Sequence, residues 1–124
     1  MEKLTYDQIV AIHLEIESGE EIVFSEKRLR SNIEFLNQFD DLSWYATHLI
    51  CTIIRDDIFE KYNLETALIT LDFFLRHNGY TLGDNDEQRK RMSELLHNIQ
   101  TANELKKDEL AKIRNTLKEL ITKD

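Results

Sequence analysis

Four carboxylates lie close together near the middle of the chain, at Asp56, Asp57, Glu60 and Glu65. Carboxylate oxygens are good ligands for divalent cations, and residues four apart share one face of a helix. A metal site is therefore one hypothesis for this segment. The alternative, which we favour, is a solvated acidic stretch before a helix, in which Glu65 interacts favourably with the helix dipole. We accordingly predict no metal site.

The histidines and the single cysteine offer little further chemistry. No two histidines have the His-x-x-x-His spacing of a zinc site. His77 is expected in the last turn of a helix, where a cation suits the dipole. We predict that the other three, His13, His48 and His97, are surface or half-buried residues with satisfied hydrogen bonds. Cys51 falls in an apolar segment, which favours a packed thiol over a nucleophile.

Apolar periodicity predicts six helices that would position these residues. In the first helix, the expected inner stripe is Ile9, Ile12 and Ile16. Short extended segments are expected at 22–24 and 80–82. Pairs with capping-box spacing are predicted to begin the first, fifth and sixth helices: Thr5 with Gln8, Asp84 with Glu87, and Thr101 with Glu104. Ser25 is expected to cap the second helix, and Asp40 or Asp41 the third. The predicted helices span approximately residues 6–17, 25–37, 41–55, 63–78, 84–99 and 104–121.

Composition fits this helical interpretation. The chain has 124 residues, no proline and three glycines, which favours one all-α domain with short connections. A glycine-rich phosphate cradle is excluded because the glycines are scattered. The net charge is −8, and residues 1–85 carry 7 Lys/Arg against 16 Asp/Glu, a net of −9. Such an acidic body opposes nucleic-acid binding.

Two features bear on location. The first residues lack the basic and apolar regions of a secretory signal, and no apolar run approaches the length that spans a membrane. A lone cysteine cannot form an internal disulfide. We therefore expect a cytoplasmic protein without a membrane partner.

Aromatic residues and the last helix leave two alternatives open. Trp44, Tyr45, Phe73 and Phe74 either pack in the core, which we favour, or line a partner groove. In the helix over 104–121, apolar residues recur at spacings of three and four, as in a coiled coil. This stripe either packs on its own domain, which we favour, or makes a dimer.

Four segments, in order, resemble the Fic/Doc family, and in particular its short Doc-like (death-on-curing) type. They are LTYDQIVAIHLEI from Leu4, FSEKRLRSNIEF from Phe24, DLSWYATHLICTIIRDDIF from Asp41 and TALITLDFFLRHNGYTL from Thr66. The third is similar to the helix before the family's active loop, and the fourth to the helix after it. The resemblance is strongest over residues 3–85, and residues 86–124 fit the family's short helical ending.

The loop itself departs from the family motif, His-Pro-Phe-x-Asp/Asn-Gly-Asn-Lys/Gly-Arg. By alignment on Thr66, Asp57 stands at the histidine, which in the family acts as general base. Phe59 and Asn63 are retained. The acidic or amide residue is replaced by Lys61, the glycine by Tyr62 and the arginine by Glu65.

These replacements remove the groups that the family uses to accept a proton and to bind phosphate. Asp57 is a far weaker base than histidine at its ordinary pKa of about 3.9. Tyr62 adds bulk where glycine would present N–H groups to phosphate. Glu65 places a negative charge where an arginine would bind phosphate. Asn63 is left as the one candidate cofactor-binding residue, and no bound cofactor is expected.

The resemblance implies a compact Fic/Doc-like helical bundle of about six helices over 1–124, with a small β-flap near residues 20–24. It also implies a history in toxin–antitoxin biology, where Doc-like toxins modify a translation factor and are held by a small antitoxin.

We therefore expect a pseudoenzyme that binds an antitoxin-like or host protein in a toxin–antitoxin, phage or defence context. The alternative is a Doc-like toxin with residual or altered phosphoryl or nucleotidyl transfer to a protein hydroxyl. In that case Asn63 would place a phosphate, and Asp57 would act as base or metal ligand.

Overall fold

The computed structural model describes residues 1–18 and 22–124. Within these residues, the chain forms six α-helices and one small antiparallel sheet, which confirms the predicted all-α bundle. The elements, in chain order, are α1 (Tyr6–Glu17), α2 (Glu26–Leu36), α3 (Leu42–Arg55), α4 (Asn63–His77), β1 (Tyr80–Leu82), α5 (Asp86–Thr101), α6 (Lys107–Leu120) and β2 (Ile121–Lys123).

The predicted caps of the first two helices are confirmed, and of the two candidates for the third, Asp40 and Asp41, the cap is Asp41. The capping box of Thr5 with Gln8 begins α1. The hydroxyl of Ser25 accepts the Arg28 N–H at the start of α2, and the Asp41 carboxylate accepts the Trp44 N–H at the start of α3. Each side chain satisfies a backbone donor that the first turn leaves without a partner.

The predicted caps of α5 and α6 are wrong. The box of α5 lies one residue later than the predicted Asp84 and Glu87, because the Asn85 amide oxygen accepts the Gln88 N–H at 2.8 Å. Thr101 does not begin α6. It ends α5, where its hydroxyl donates to the carbonyl of His97 four residues back. The N-cap of α6 is Lys106, which makes no side-chain cap bond.

Helix α3 lies at the centre of the bundle. It packs against α2, α4, α5 and α6, because its buried side chains point in several directions. The largest fully buried side chains come from α1 to α4 and the loop between α3 and α4. They are Tyr45, Phe59, Phe74, Ile9, Leu29, Leu36, Leu49, Ile50, Ile53, Ile58, Leu71 and Leu75.

The predicted extended exit at 80–82 is β1, and its partner is the C-terminal strand β2. Tyr80 lies opposite Lys123, and Leu82 lies opposite Ile121, in an antiparallel register. Gly79 precedes β1 with a φ of 84°, a conformation that favours glycine. Its carbonyl accepts the N–H of Asp124 at 3.0 Å, so the last residue is held beside the end of α4.

The predicted flap near residues 20–24 lies only partly within the described residues, since 20 and 21 fall outside them. In the remainder, Phe24 forms one antiparallel bridge with Phe59. The Ser25 N–H donates to the carbonyl of Ile58 at 2.8 Å, and the Glu60 N–H donates to that of Val23 at 3.0 Å. This short segment therefore rests directly on the loop before α4.

The apolar stripe of α6 packs within its own chain, as favoured. Ile113, Leu117 and Leu120 are buried, and Leu110 is half-buried against the same core. A dimer through 104–121 stays a prediction, but it would have to use another face of this helix. Among the described residues, no helix has the length and apolar character needed to cross a membrane.

Candidate functional site

The segment between α3 and α4 turns sharply at both of its ends. Asp57 has a φ of 47° and Tyr62 has a φ of 63°, both in the left-handed region. Aspartate adopts this region more readily than most residues, whereas tyrosine does so at a cost. The loop 56–62 therefore holds a defined shape without any glycine.

The middle of the loop is buried. Ile58 and Phe59 are each 1% exposed, so both side chains lie in the core. The ring of Phe59 stacks on the imidazole of His13, with 3.7 Å between ring centroids, and contacts Phe24 at 5.7 Å. These contacts place the loop backbone against α1 and the segment before α2.

The side chain of Asn63 closes the loop on itself. Its amide oxygen accepts the N–H of Phe59 at 3.1 Å, and its amide nitrogen donates to the carbonyl of Phe59 at 2.7 Å. One asparagine thus satisfies both backbone groups of a residue whose side chain is buried. The amide that sequence reasoning assigned to a phosphate is engaged within the loop.

The other predicted site residues face solvent. Asp57, Lys61, Tyr62 and Glu65 are exposed, and Tyr62, the N-cap of α4, makes no side-chain cap bond. Residues 55–65 carry two basic and four acidic side chains, a net charge of −2. The first turn of α4 therefore lies in an acidic environment, although its N–H groups would otherwise favour an anion.

A polar cleft of about 580 Å³ lies between the start of α2 and the end of α3. Asp57 reaches this cleft, but the five other predicted site residues do not line it. The amide nitrogen of Asn32 is buried without a hydrogen-bond partner among the described residues. The lining consists of Ser25, Lys27, Arg28, Ser31, Asn32, Arg55, Asp56 and Asp57.

Two of the three cations at this cleft already have structural partners. The guanidinium of Arg28 donates to the carbonyls of Asp56 and Asp57, at 3.3 and 3.4 Å. Arg55 donates to three carbonyls at the end of α5 and just beyond it, including that of Ile99 at 2.8 Å. Both arginines satisfy backbone acceptors near helix ends, which leaves Lys27 as the cation that only lines the cleft.

His13 is fully buried, so the prediction of a surface or half-buried residue is wrong. Its Nδ1 atom lies 2.7 Å from the hydroxyl oxygen of Thr66, and its Nε2 atom lies 2.6 Å from a carboxylate oxygen of Glu17. A hydroxyl, an imidazole and a carboxylate in series resemble the arrangement of a nucleophilic triad. Thr66 is 0% exposed, however, so no substrate can reach its hydroxyl.

This network was not predicted, because only apolar residues were assigned to the buried face of α1 and His13 was left out as a polar residue. The face that α1 buries runs through Ile9 and His13, while Ile12 and Ile16 are half-buried. The available signal was the four-residue spacing of His13 and Glu17, which places the two side chains on one helix face.

The remaining candidates have structural roles. Cys51 is buried, which raises the pKa of its thiol to about 12, so it stays protonated at neutral pH and is a packed thiol. His48 stacks on Phe39 with 4.3 Å between centroids, and burial lowers its pKa. The Nε2 atom of His77 lies 2.6 Å from a carboxylate oxygen of Glu2.

The aromatic residues divide between core and surface. Tyr45 and Phe74 stack in the core with 4.5 Å between centroids, as favoured, whereas Trp44 and Phe73 are half-buried. Within residues 1–18 and 22–124, no three His, Cys, Asp or Glu side chains come close enough together to hold a metal ion.

No protein-family model matches the chain, and no curated protein matches it.

Proposed function

We propose that this protein is a catalytically degenerate Fic/Doc-like protein that acts by binding another protein. The observation that carries the proposal is the pair of hydrogen bonds between Asn63 and the backbone of Phe59. Asn63 is the one polar residue of the family motif that the chain retains. Since its amide holds the loop together, the motif's surviving positions serve the scaffold.

The electrostatics of the loop support the same proposal. Transfer from ATP requires positive charge and N–H donors around the phosphates. Here the arginine position carries Glu65, the glycine position carries Tyr62, and the net charge of residues 55–65 is −2. A nucleotide triphosphate would be repelled from this place.

The partner we propose is an antitoxin-like or host protein in the cytoplasm, within a toxin–antitoxin, phage or defence system. An acidic body is a poor surface for nucleic acid, because affinity there depends on phosphate neutralisation. Protein partners tolerate acidic surfaces and select them through complementary charge.

The polar cleft supports a competing hypothesis of altered phosphoryl or nucleotidyl transfer. Asp57 and Lys27 both line it, together with the buried Asn32 amide. Asp57 would take the proton of a target hydroxyl while that oxygen attacks a phosphorus atom of ATP. Attack at the γ-phosphorus would release ADP, and attack at the α-phosphorus would release pyrophosphate. Lys27 would then stabilise charge on the phosphates.

Calorimetry and affinity capture separate the two hypotheses. We expect no heat of binding with ATP and Mg²⁺, and no adduct on lysate proteins by mass spectrometry. ATP binding that is lost in Lys27→Ala, or a protein adduct that is lost in Asp57→Ala, would overturn the pseudoenzyme proposal. Asn63→Ala is a poor choice for this experiment, because it removes hydrogen bonds that hold the loop.

For affinity capture from the source cell, we expect Asp57→Ala to retain the partners of the wild type. Loss of every partner in that variant, with folding intact by circular dichroism, would instead place the binding surface on the loop. The matched control is Asp72→Ala, which removes one carboxylate from the outer face of α4.

A further inference from the structure

A groove of about 320 Å³ separates α5 from α6 on the surface. Its floor is apolar, since Leu95 and Ile113 are buried and Ile99 is 0% exposed. Two charged residues of α6, Glu109 and Lys112, stand at its edge. An apolar floor beside opposite charges is the composition of a small protein interface.

Three of the four residues that α6 contributes to this groove form one stripe along the helix, and the fourth, Ile113, belongs to the floor. Glu109, Lys112 and Thr116 lie within about 60° of one another around the helix axis, and Leu105 precedes the N-cap on the same side. This stripe lies beside the one that contains Leu117, which is buried in the core. It is therefore a second face of α6, and it remains open.

The stripe is complementary in charge to a reversed copy of itself. Glu109 and Lys112 lie symmetrically about one point of α6, midway between residues 110 and 111. An antiparallel second copy of α6 would place each Glu109 opposite the partner's Lys112. Neither residue forms an ion pair within the described part of the chain. Both charges are therefore available to a partner.

We propose that two copies of this protein associate through this stripe, with each α6 lying along the α5–α6 groove of the other. A two-fold axis repeats every contact, so the interface contains two Glu109–Lys112 pairs over an apolar centre. The helical part of the stripe, from Glu109 to Thr116, is about 10 Å long, so the contact is small and the dimer is weak. This proposal does not depend on the proposed function.

Charge reversal with rescue tests the dimer. The full chain is followed by sedimentation equilibrium from micromolar to millimolar concentration at low salt. We expect a dimer for the wild type and about tenfold weaker association for Glu109→Lys or Lys112→Glu, since each turns two attractions into repulsions. The double variant Glu109→Lys/Lys112→Glu should restore association, because the reversed charges again face each other.

Two further variants keep the result interpretable. Lys118→Glu makes the same charge change on the opposite side of α6 and should leave association unchanged. Leu105→Asp should abolish it, and an unchanged thermal transition by circular dichroism would show that the fold is intact. A wild type that stays monomeric at millimolar concentration, or a double variant that fails to restore association, would overturn the proposal. A monomeric wild type would show that the groove does not bind a second copy of this chain.

Discussion

The two ends of α4 are held in different ways. At the start, Asn63 bonds to the backbone of Phe59, only four residues away. At the end, the amide of Asn78 donates to the carbonyls of Phe74 and Glu2 and accepts the N–H of Glu2. The carbonyl of Gly79 accepts a hydrogen bond from the N–H of Asp124, so Glu2 and Asp124 both lie beside the end of α4.

The difference shows which residues fix the backbone at each end of the helix. At the start of α4, the buried ring of Phe59 and the amide of Asn63, which are close in sequence, hold the loop backbone. At the end, the same task needs contacts between residues far apart in sequence. Phe59 and Asn63 therefore have structural roles in the loop that require no phosphate.

The largest expected effect is that of Phe59→Ala. Removal of a fully buried ring that contacts His13 and Phe24 should destabilise the protein by about 3–5 kcal/mol. Urea denaturation measures this as a lower midpoint. The control is Phe73→Ala, since Phe73 is half-buried and should cost less. Equal losses of stability would show that Phe59 contributes no more to the core than the half-buried Phe73.

A smaller loss is expected for Asn63→Ala. It leaves the N–H and the carbonyl of Phe59 without partners in a partly buried place, at a cost of about 2 kcal/mol. Asn78→Ala should cost about half as much, because water can reach the freed groups of Glu2. The same denaturation measurement checks both variants. A loss at Asn78 that equals or exceeds the loss at Asn63 would contradict the comparison.

Much of the fold could be predicted from local signals. The helices follow from apolar periodicity, and the Thr5, Ser25 and Asp41 caps follow from side chains that bond within one turn. The cap of α5 was missed by one residue, because aspartate and asparagine have similar capping preferences and two such residues adjoin. Pairing of β1 with β2 joins residues about 40 apart in sequence and has no local signal.

The site was less predictable than the fold. The resemblance predicted a phosphate-binding role for Asn63. Its hydrogen bonds to Phe59 could not be predicted, because they depend on the left-handed turn at Tyr62. The burial of His13 depends on Thr66 and Glu17 meeting it from two helices. The polar cleft combines residues of α2 with the end of α3, and only the packing of these helices brings them together.

Tyr62→Gly should raise the stability of the protein, whereas the substitutions at Phe59 and Asn63 should lower it. A left-handed backbone costs a residue with a side chain about 1–2 kcal/mol, whereas glycine adds about 0.5–1 kcal/mol of unfolded-state entropy. We expect a gain of up to about 1 kcal/mol in urea denaturation. Lys61→Gly is the control, because Lys61 has no positive φ and should lose stability. A loss at Tyr62 would mean that its exposed ring makes contacts that the loop needs.

The smallest effect is expected for Glu2→Gln, which tests whether charge holds the far end of α4. The Glu2 side chain is 72% exposed, so its ion pair with His77 should contribute less than about 0.5 kcal/mol. The bonds of the Glu2 backbone to Asn78 are unaffected by the substitution, so the terminus should stay in place. Thermal unfolding at low and high salt measures the difference. A loss larger than that of Asn78→Ala would show that the Glu2–His77 ion pair holds the end of α4. The two ends of α4 would then differ in electrostatics, and not in how far apart in sequence their hydrogen-bond partners lie.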